Sequence, residues 1–406
     1  MPRIAVEAAP ERRPLTGVGV YVRELRSALG RLAPERIIFV GVRGDADPPP
    51  PPGLAATIFA GGSRYRWLLV RADREIRRLG VALAHYTNAA APLRSSVPFV
   101  LTIQDLSVLR YPHYHPVGRL LTVPLLLAAA RVARAVIVPS DATRGEVERL
   151  LRVPRGRIAV IPLATSWGTP AEPSSAGGSH RSGGGILSRL GLEPGRYVLA
   201  AGTLEPRKNL GRLAGAFARL AVDDPGLRLV ICGPPGWRDG PTRRLLREGP
   251  AARRIVLAGY VPDEELRELT AACGAFAYVS RYEGFGLPIL DAMAAGAPVV
   301  ASATSAMPET AGGAAILVDP RSEPGIAEGI RQAFARRDEL VAAGRRRAAS
   351  WSWDDVARAT LGVYEEALAG RPVGGLAPAG ATSSGRTSAQ GSSVGEGSVR
   401  ESGRQR

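Results

Sequence analysis

The sequence predicts an α/β protein with two doubly wound parallel sheets that face each other across a cleft. Short strands rich in β-branched residues alternate with amphipathic helices along most of the 406-residue chain. That length suits two domains, and a Gly/Ser/Pro-rich stretch at 169–188 divides the alternating pattern into two halves. Ligands of such sheets bind beyond the carboxyl ends of the strands, so functional residues should follow the strands.

The first half contains six strand candidates with helical runs between most of them. These strands are RIAVEA, RIIFVGV, LAHYT, FVLTIQD, AVIVPS and IAVIPLA. Helical periodicity is clearest in VGVYVRELRSALGRL and DATRGEVERLLR. The run LLTVPLLLAAARVARAVIV is interrupted by Pro124, Arg131 and Arg134, so it predicts a core helix and a strand rather than a membrane span.

The second half repeats this alternation. Its strand candidates are RYVLAAGT, LRLVICG, RIVLAGY, AFAYVS, PVVAS and AILVD. Its helical runs are NLGRLAGAFARLAVD, TRRLLREGP, DEELRELTAAC, LPILDAMAAG and GIAEGIRQAFARR. Cys232 and Cys273 lie in apolar runs and are interpreted as buried thiols in a reducing compartment. Because MPRIAVEAAP has no signal-peptide pattern, we expect a cytoplasmic protein, either free or peripheral at the inner membrane face.

Positive charge is concentrated in the first half of the chain. The net charge is +16, and residues 1–168 hold 24 arginines against 12 acidic residues. This imbalance favours an anionic partner such as a lipid headgroup, a diphosphate or nucleic acid, although an arginine-rich composition that serves solubility explains it equally well. No recognised nucleic-acid-binding motif is present, so nucleic acid is the least favoured of these partners.

The stretch VSRYEGFGLPILDAMAAGAPVVAS, residues 279–302, has the layout of a diphosphate site. A strand ends at Val279, and a loop leads to a helix with Pro288 near its start and Gly296 just past its end. Free N–H groups at such a helix start bind phosphates, while the carboxylates of Glu283 and Asp291 suit sugar or ribose hydroxyls.

Several motifs together resemble the retaining glycosyltransferases of family 4, which have the GT-B fold. EGFGLPILD is similar to the family's E-x(7)-E signature, and GTLEPRKNL, LAGYVPDEEL, AMPETAGGAAILVDP and WSWDDVARATLGVYEEAL follow in the family's order. TGVGVYVREL resembles its glycine loop. The similarity covers roughly residues 2–368 and is nearest to mannosyltransferase-like members that build bacterial surface polysaccharides and glycolipids.

The resemblance implies a division of labour between the domains. Residues 1–168 form a Rossmann-like acceptor domain, 189–348 form a Rossmann-like nucleotide-sugar donor domain, and 169–188 form a flexible linker. A C-terminal helix at 349–370 packs back towards the first domain. Residues 371–406, which have almost no apolar side chains, are expected to be disordered.

The resemblance also assigns the site residues. Arg207 and Lys208, the only lysine in the chain, grip the donor's diphosphate. Glu283 positions the donor sugar and Asp291 binds the ribose. The remaining nucleotide-sugar contacts fall to residues of three loops: Gly17, Gly19, Thr203, Gly284, Phe285, Gly286 and Leu287.

The implied reaction needs neither a metal ion nor a bound cofactor, because fixed cations neutralise the leaving group and a nucleotide-diphospho-sugar is the co-substrate. The anomeric configuration is retained by a front-face displacement, in which the leaving phosphate helps to deprotonate the acceptor. That acceptor is a glycan or a lipid-linked sugar.

Two positions depart from the family pattern. Asp291 stands where the family usually has Glu, which shortens the reach by one methylene. Gln104-Asp105 stands where such members commonly have His-Asp at a strand end, and Gln cannot be protonated. Gln104 and Asp105 are kept as candidate catalytic residues. The replacement of His by Gln104 leaves open the alternative of a degenerate nucleotide-binding protein without turnover. A sugar-nucleotide epimerase or hydrolase is a further alternative.

Two further features concern the acceptor side. Residues 63–80, SRYRWLLVRADREIRRLG, combine six arginines with aromatic and aliphatic residues on an apparent amphipathic helix. This helix suits an anionic membrane near a lipid-linked acceptor, or it is a solvated basic face. His85, His113 and His115 have no accompanying Cys or carboxylate cluster, so we expect them to line the acceptor cleft rather than to bind a metal.

Overall fold

The computed structural model describes residues 1–8, 17–43, 56–60, 63–168 and 185–375. The strands in this part of the chain form two parallel sheets, which confirms the predicted α/β class. They are β1 Ile4–Glu7, β2 Ile37–Arg43, β3 Ala56–Ala60, β4 Leu83–Tyr86, β5 Phe99–Thr102, β6 Ala135–Val138, β7 Ile158–Val160, β8 Tyr197–Ala201, β9 Arg228–Cys232, β10 Ile255–Gly259, β11 Ala275–Tyr278, β12 Val299–Ser302 and β13 Ile316–Val318.

Helices connect most successive strands and cover the faces of the sheets. They are α1 Gly17–Leu32, α2 Arg64–Val70, α3 Ala72–Arg78, α4 Ser107–Arg110, α5 Val117–Leu120, α6 Val123–Val132, α7 Asp141–Glu146, α8 Ile186–Arg189, α9 Leu210–Asp223, α10 Gly240–Glu248, α11 Asp263–Ala272, α12 Leu287–Ala294, α13 Met307–Ala311, α14 Glu323–Ala335, α15 Arg337–Ala349 and α16 Trp353–Leu368. The last turn of the predicted helix at 141–152 is a π-helix, Val147–Leu151.

The first sheet has seven strands in the order β3-β2-β1-β4-β5-β6-β7, and the second has six in the order β10-β9-β8-β11-β12-β13. In each sheet the order reverses beside the first strand, between β1 and β4 and between β8 and β11. Loops diverge at such a switch point and leave a crevice at the carboxyl ends. Only β3 was missed from the sequence, because ATIFA begins and ends with alanine, a weak strand former.

Helix α16 packs back against the first sheet and its helices. It packs on α1, and the Tyr364 hydroxyl lies 2.7 Å from Nδ1 of His85 on β4. Trp353 Nε1 donates to the carbonyl of Thr165. Ser352 and Asp355 form a capping box that starts the helix at Trp353. The described chain therefore leaves the first domain at 165–168 and returns to it at 350–353.

Three boundaries differ from the sequence prediction. The helix expected over 63–80 is broken at Arg71 into α2 and α3. Ile186 in α8 is buried, so the end of the predicted linker belongs to the second domain, while 169–184 lie outside the described residues. Val373 is buried, and its N–H donates to the Gly156 carbonyl, so the packed chain continues past 371. Residues 376–406 also lie outside the described residues.

Both cysteines are free and buried, as predicted. Burial raises the pKa of each thiol to about 12, so neither is a thiolate at neutral pH. Within the described ranges no helix is long and apolar enough to cross a membrane.

Candidate active site

The cation pair Arg207 and Lys208 lies at the switch point of the second sheet. The chain leaves β8 at Ala201 and makes one 3₁₀ turn, Pro206–Lys208, before α9 begins. Asn209 separates the two helices in a left-handed conformation, φ 61°. Its side-chain amide donates to the carbonyls of Val279 and Pro320, which fixes the turn against the neighbouring strand ends.

Glu283 meets both cations from the loop after β11. Arg207 Nη1 donates to Glu283 Oε2 at 2.5 Å, and Lys208 Nζ donates to Oε1 at 2.8 Å. The Glu283 N–H donates to Ser305 Oγ, which orients the loop. Because β8 and β11 are adjacent strands, residues some 75 positions apart share one crevice.

Electrostatics fix the charges of this cluster. Burial alone would raise the pKa of Glu283, but Arg207 and Lys208 lower it to about 2. Burial would lower the pKa of Lys208, but the Glu283 carboxylate raises it to about 12. All three groups are therefore ionised throughout the neutral range.

Two further members of the cluster were missed from the sequence. Glu205, buried and two residues before Arg207, accepts from Arg207 Nε at 3.0 Å and Nη2 at 2.6 Å. The Tyr278 hydroxyl accepts from Lys208 Nζ at 2.7 Å. A carboxylate beside the cation pair in GTLEPRKNL was the available signal for Glu205. Tyr278 gave none, since it reads as a core strand residue.

Two cations, Arg207 and Lys208, are balanced by two carboxylates, Glu205 and Glu283, and the cations still have unused N–H donors. Arg207 also donates to the Tyr282 carbonyl, so its bonds to Glu205, Glu283 and Tyr282 use four of its five N–H groups. Lys208 uses two of three. Within the described part of the chain, each cation therefore keeps one N–H for an incoming anion.

The loop from Gly284 to Leu287 is held by both domains. A Cβ on Gly284 would lie 1.8 Å from the Gln104 carbonyl oxygen, so only glycine fits there. The Gly284 carbonyl accepts from Ser140 Oγ at 2.7 Å and Thr143 Oγ1 at 3.0 Å. Gly286, at φ 99°, turns the chain into α12.

Phe285 and Leu287 are buried in the core, so only their backbone groups could meet a nucleotide. The predicted N–H donors of this loop are therefore backbone donors at the start of an eight-residue helix.

Asp291 has a different set of partners. It lies on α12, is 9% exposed, and faces the segment where the chain leaves the first domain. Its Oδ1 accepts from Thr165 Oγ1 and the Ser166 N–H, both at 2.8 Å, and from Ser166 Oγ at 3.2 Å. Its Oδ2 accepts only from Ser166 Oγ, at 3.3 Å. Burial raises the pKa of Asp291 to about 6 despite these bonds.

Gln104 and Asp105 lie at the end of β5, opposite Gly284. Gln104 Nε2 is buried and finds no hydrogen-bond partner among the described residues. Asp105 Oδ1 accepts from the N–H of Ser107 at 2.8 Å and from its hydroxyl at 2.6 Å. The amide is therefore unsatisfied, whereas the carboxylate shapes the turn into α4.

The glycine-loop residues are less constrained. Gly17 and Gly19 lie in the first turn of α1, and a Cβ on Gly17 would meet nothing within 4 Å. Residues 9–16 of that loop lie outside the described residues. Thr203 is half-buried in the turn after β8, ahead of the cation pair.

The three histidines that were expected to line the cleft lie in different environments. His113 is exposed, while His85 is buried in the first domain between Tyr364 and Thr102, so its expected place at the cleft is wrong. Both ring nitrogens of His85 form hydrogen bonds with these two hydroxyl groups, so neither is available at the cleft. His115 is buried near the domain boundary, with Trp237 of the second domain stacked 6.0 Å away.

Comparisons with known proteins identify the family of the chain. The family model described as Glycosyltransferase Family 4 matches residues 15–165, and the model described as Glycosyl transferases group 1 matches residues 189–350. The chain is 32% identical over 386 residues to O-antigen chain mannosyltransferase B of Escherichia coli, covering 89% of this chain and 99% of that protein.

Solved structures show the same fold at lower identity. Sucrose-phosphate synthase of Thermosynechococcus elongatus superposes with a TM-score of 0.70 at 21% identity, covering 91% of this chain and 100% of that one. HepE of Anabaena, in complex with UDP, superposes with a TM-score of 0.66 at 17% identity, covering 90% and 100%. These findings do not favour the degenerate, epimerase and hydrolase alternatives. The chain belongs to glycosyltransferase family 4, has the GT-B fold, and is a glycosyltransferase related to the mannosyltransferases of that family.

Proposed function

We propose that the chain transfers a hexosyl group, mannosyl being favoured, from a nucleotide-diphospho-sugar to a glycan or lipid-linked sugar in surface polysaccharide or glycolipid synthesis. The observation that supports this most directly is the buried Arg207–Lys208–Glu283 cluster at the switch point. The E. coli relative is an O-antigen chain mannosyltransferase, which favours mannose and a surface glycan.

The ion pairs hold the two cations ready for a diphosphate. Burying an unpaired charge is costly, so Glu205 and Glu283 stabilise Arg207 and Lys208 before the donor arrives. An incoming diphosphate takes the remaining N–H of each cation and draws both towards its oxygens. In this proposal Glu283 keeps its bonds to both cations and orients the sugar through the remaining lone pairs of its carboxylate, and Asp291 Oδ2 accepts from a ribose hydroxyl.

Thermal stabilisation by nucleotides tests the donor site. We expect GDP, UDP or ADP at millimolar concentration to raise the melting temperature of the wild type, with one base strongly preferred. Lys208→Ala should lose most of that shift, measured from its own unliganded melting temperature. Absence of any shift in the wild type would remove the donor-site assignment.

Arg196→Ala is the matched control. Arg196 lies just before β8, at the opposite end of the same strand, and forms an exposed ion pair with Asp224. The Arg196→Ala substitution removes one cation from the same domain without changing any residue of the crevice. An equal loss of nucleotide response in both variants would mean that net charge, not the local grip, binds the anion.

Retention of configuration without a metal ion stays a proposal. Its support is that the ionised Glu283 carboxylate is committed to two cations and is a weak base, which leaves the departing phosphate to take the acceptor proton. Proton NMR of the first product should show the donor's anomeric configuration, and turnover should survive EDTA. An inverted product would overturn the front-face route.

We further propose that α2 and α3 place the protein on an anionic membrane at its cytoplasmic face. Arg66, Arg74, Arg77 and Arg78 are exposed, beside Leu69 at 54% and Val70 at 72% exposure. Both acids of the segment have hydrogen-bond partners: the half-buried Asp73 accepts from the N–H and hydroxyl of Ser96, and the buried Glu75 accepts from Trp67 Nε1. Arg64 does not contribute, because it is paired with the buried Glu7.

Vesicle flotation tests this surface. Vesicles containing phosphatidylglycerol should capture the wild type, with each arginine contributing about 1 kcal/mol, whereas pure phosphatidylcholine should not. Leu69→Asp combined with Val70→Asp should abolish capture. Val222→Asp, at an exposed apolar residue of α9, is the control and should leave capture unchanged. Capture that is indifferent to the double variant would refute this face.

A further inference from the structure

His115 is a buried histidine whose ring nitrogens are both unsatisfied. It lies in the loop between α4 and α5, eleven residues after Gln104, and is 3% exposed. Neither Nδ1 nor Nε2 finds a hydrogen-bond partner among the described residues. Buried polar side-chain atoms in folded proteins nearly always have a partner, so this exception needs a reason.

His85 shows what a structural histidine looks like in this protein. It is 1% exposed, and its Nδ1 and Nε2 each lie 2.7 Å from a hydroxyl, on Tyr364 and Thr102 respectively. The two rings are equally buried, yet only His85 is built into a bonded network. The bonds that His115 lacks are therefore available to a ligand.

The ring of His115 is close to the donor crevice. Its neighbour Tyr114 accepts a hydrogen bond from Arg281, and the Arg281 N–H donates to the Arg207 carbonyl, so the loop that carries His115 lies beside the cation cluster. Gln104 Nε2, just past the end of β5, is a second buried group without a partner among the described residues, and the Gln104 carbonyl lies against Gly284 of the second domain.

The second domain fixes the position of this loop. Trp237 stacks on His115 and donates through Nε1 to the Tyr114 carbonyl, and Arg238 donates to the His113 carbonyl. Arg281, next to the cation cluster, donates to the Tyr114 hydroxyl at 2.7 Å. The second domain therefore fixes the position of the His115 ring, while both ring nitrogens remain without hydrogen-bond partners among the described residues. A preorganised ligand contact requires this combination.

We propose that His115 binds a sugar hydroxyl in the cleft, through the ring nitrogens that the protein itself leaves unpaired. This inference rests on the proposed function and adds to it a contact that compensates for Gln104. Burial, together with the charge of Arg119, lowers the pKa of His115, so the ring is neutral near pH 7. A neutral imidazole has one donor and one acceptor, which matches a hydroxyl group.

His115→Phe tests the inference, because it keeps a ring against Trp237 and removes both nitrogens. The unliganded melting temperature should stay the same or rise, since no protein hydrogen bond is lost. The dissociation constant for the nucleoside diphosphate should change less than twofold, while kcat/KM for transfer should fall about tenfold to a hundredfold. His115→Gln should recover part of this activity.

His85→Phe is the matched control. It makes the same substitution at an equally buried ring, but it strips partners from Tyr364 and Thr102. Its melting temperature should fall clearly. A similar fall in both His115 variants would show that His115 is structural after all and would overturn the proposal.

Two arms identify the hydroxyl. GDP-mannose is tried first as donor, with methyl α-mannoside as acceptor. If the hydroxyl is on the donor sugar, His115→Phe binds GDP-mannose no more tightly than GDP. If it is on the acceptor, GDP-mannose binding is unchanged and the acceptor KM rises.

If His115→Phe has wild-type kinetics with both donor and acceptor, the proposal is overturned. It is also overturned if His115→Phe loses nucleoside diphosphate binding to the same extent as transfer activity. If no nucleotide binds the wild type, the proposed function itself fails, and the inference fails with it. That result is distinct from a defect confined to His115→Phe.

Discussion

Glu283 and Asp291 are carboxylates of one motif, eight residues apart and almost equally buried, yet their surroundings act in opposite directions. Glu283, 8% exposed, is paired with two cations, and its pKa falls to about 2. Asp291, 9% exposed, is bonded to the neutral groups of Thr165 and Ser166, and its pKa rises to about 6.

The difference shows that burial alone does not decide a carboxylate's charge. Desolvation raises the pKa of both groups, and the presence or absence of a cation decides which way each finally shifts. Glu283 belongs to the phosphate end of the crevice. Asp291 ties α12 to the segment where the chain leaves the first domain.

The largest expected effect is from Glu283→Gln. It leaves Arg207 and Lys208 buried without their shared anion, so the free energy of unfolding at pH 7 should fall by about 3–5 kcal/mol. Because the folded pKa is lowered, the stabilisation is present above about pH 4.5 and is lost as the pH falls towards 2. Urea unfolding across this range measures it. Glu265→Gln, which breaks an exposed pair with Arg189, should cost less than about 1 kcal/mol.

Asp291→Asn should show the opposite pH dependence. The folded pKa is raised above the ordinary value of 3.8, so the native state binds more protons than the unfolded state between about pH 4 and pH 6. Wild-type stability relative to the variant should therefore fall by about 3 kcal/mol as the pH rises through this window. The two variants should give difference curves of opposite slope. Slopes of the same sign would contradict the comparison.

A smaller effect is expected on ligand binding, where a nucleoside diphosphate and inorganic pyrophosphate should distinguish the role of Asp291 from that of the cation cluster. If Asp291 binds the ribose, Asp291→Asn should weaken nucleoside diphosphate binding about tenfold, equivalent to about 1.4 kcal/mol, and leave inorganic pyrophosphate binding unchanged. Lys208→Ala should weaken both ligands. Isothermal titration with GDP and pyrophosphate measures each case. Equal losses for both ligands in Asp291→Asn would place Asp291 outside the ribose site.

The smallest expected effect lies in the partners of Asp291. Ser166→Ala removes only the long contacts of 3.2 and 3.3 Å and should cost under about 1 kcal/mol. Thr165→Val removes a buried 2.8 Å bond to Asp291 and the 3.2 Å bond that the hydroxyl accepts from the Trp167 N–H, and should cost about 1–2 kcal/mol. Thermal unfolding of both variants gives the order. A larger loss for Ser166→Ala would mean that its hydroxyl, not that of Thr165, is the main bond between Asp291 and the first domain.

Much of the site could be predicted from the sequence where neighbours in sequence also share the crevice. EGFGLPILD located the loop and helix, and GTLEPRKNL located the cation turn, because each lies within one strand-to-helix connection. Tyr278 and Thr165 could not be assigned to it, because Tyr278 has the pattern of a core strand residue and Thr165 is remote from Asp291 in sequence. His115 was expected to line the cleft, but its unpaired ring nitrogens could not be predicted, because its surroundings include Trp237 of the other domain.

The sequence by itself determined the fold class, the alternation of strands and helices in each half except for β3, and the identity of the charged groups. Hydrophobic periodicity and turn residues act over a few positions, so they can be read without a structure. The tertiary structure decided which carboxylate is held by cations, which is tied to Thr165 and Ser166, and which histidine is left unsatisfied. Those outcomes depend on desolvation and on partners 75 to 279 residues away, and only packing brings these together.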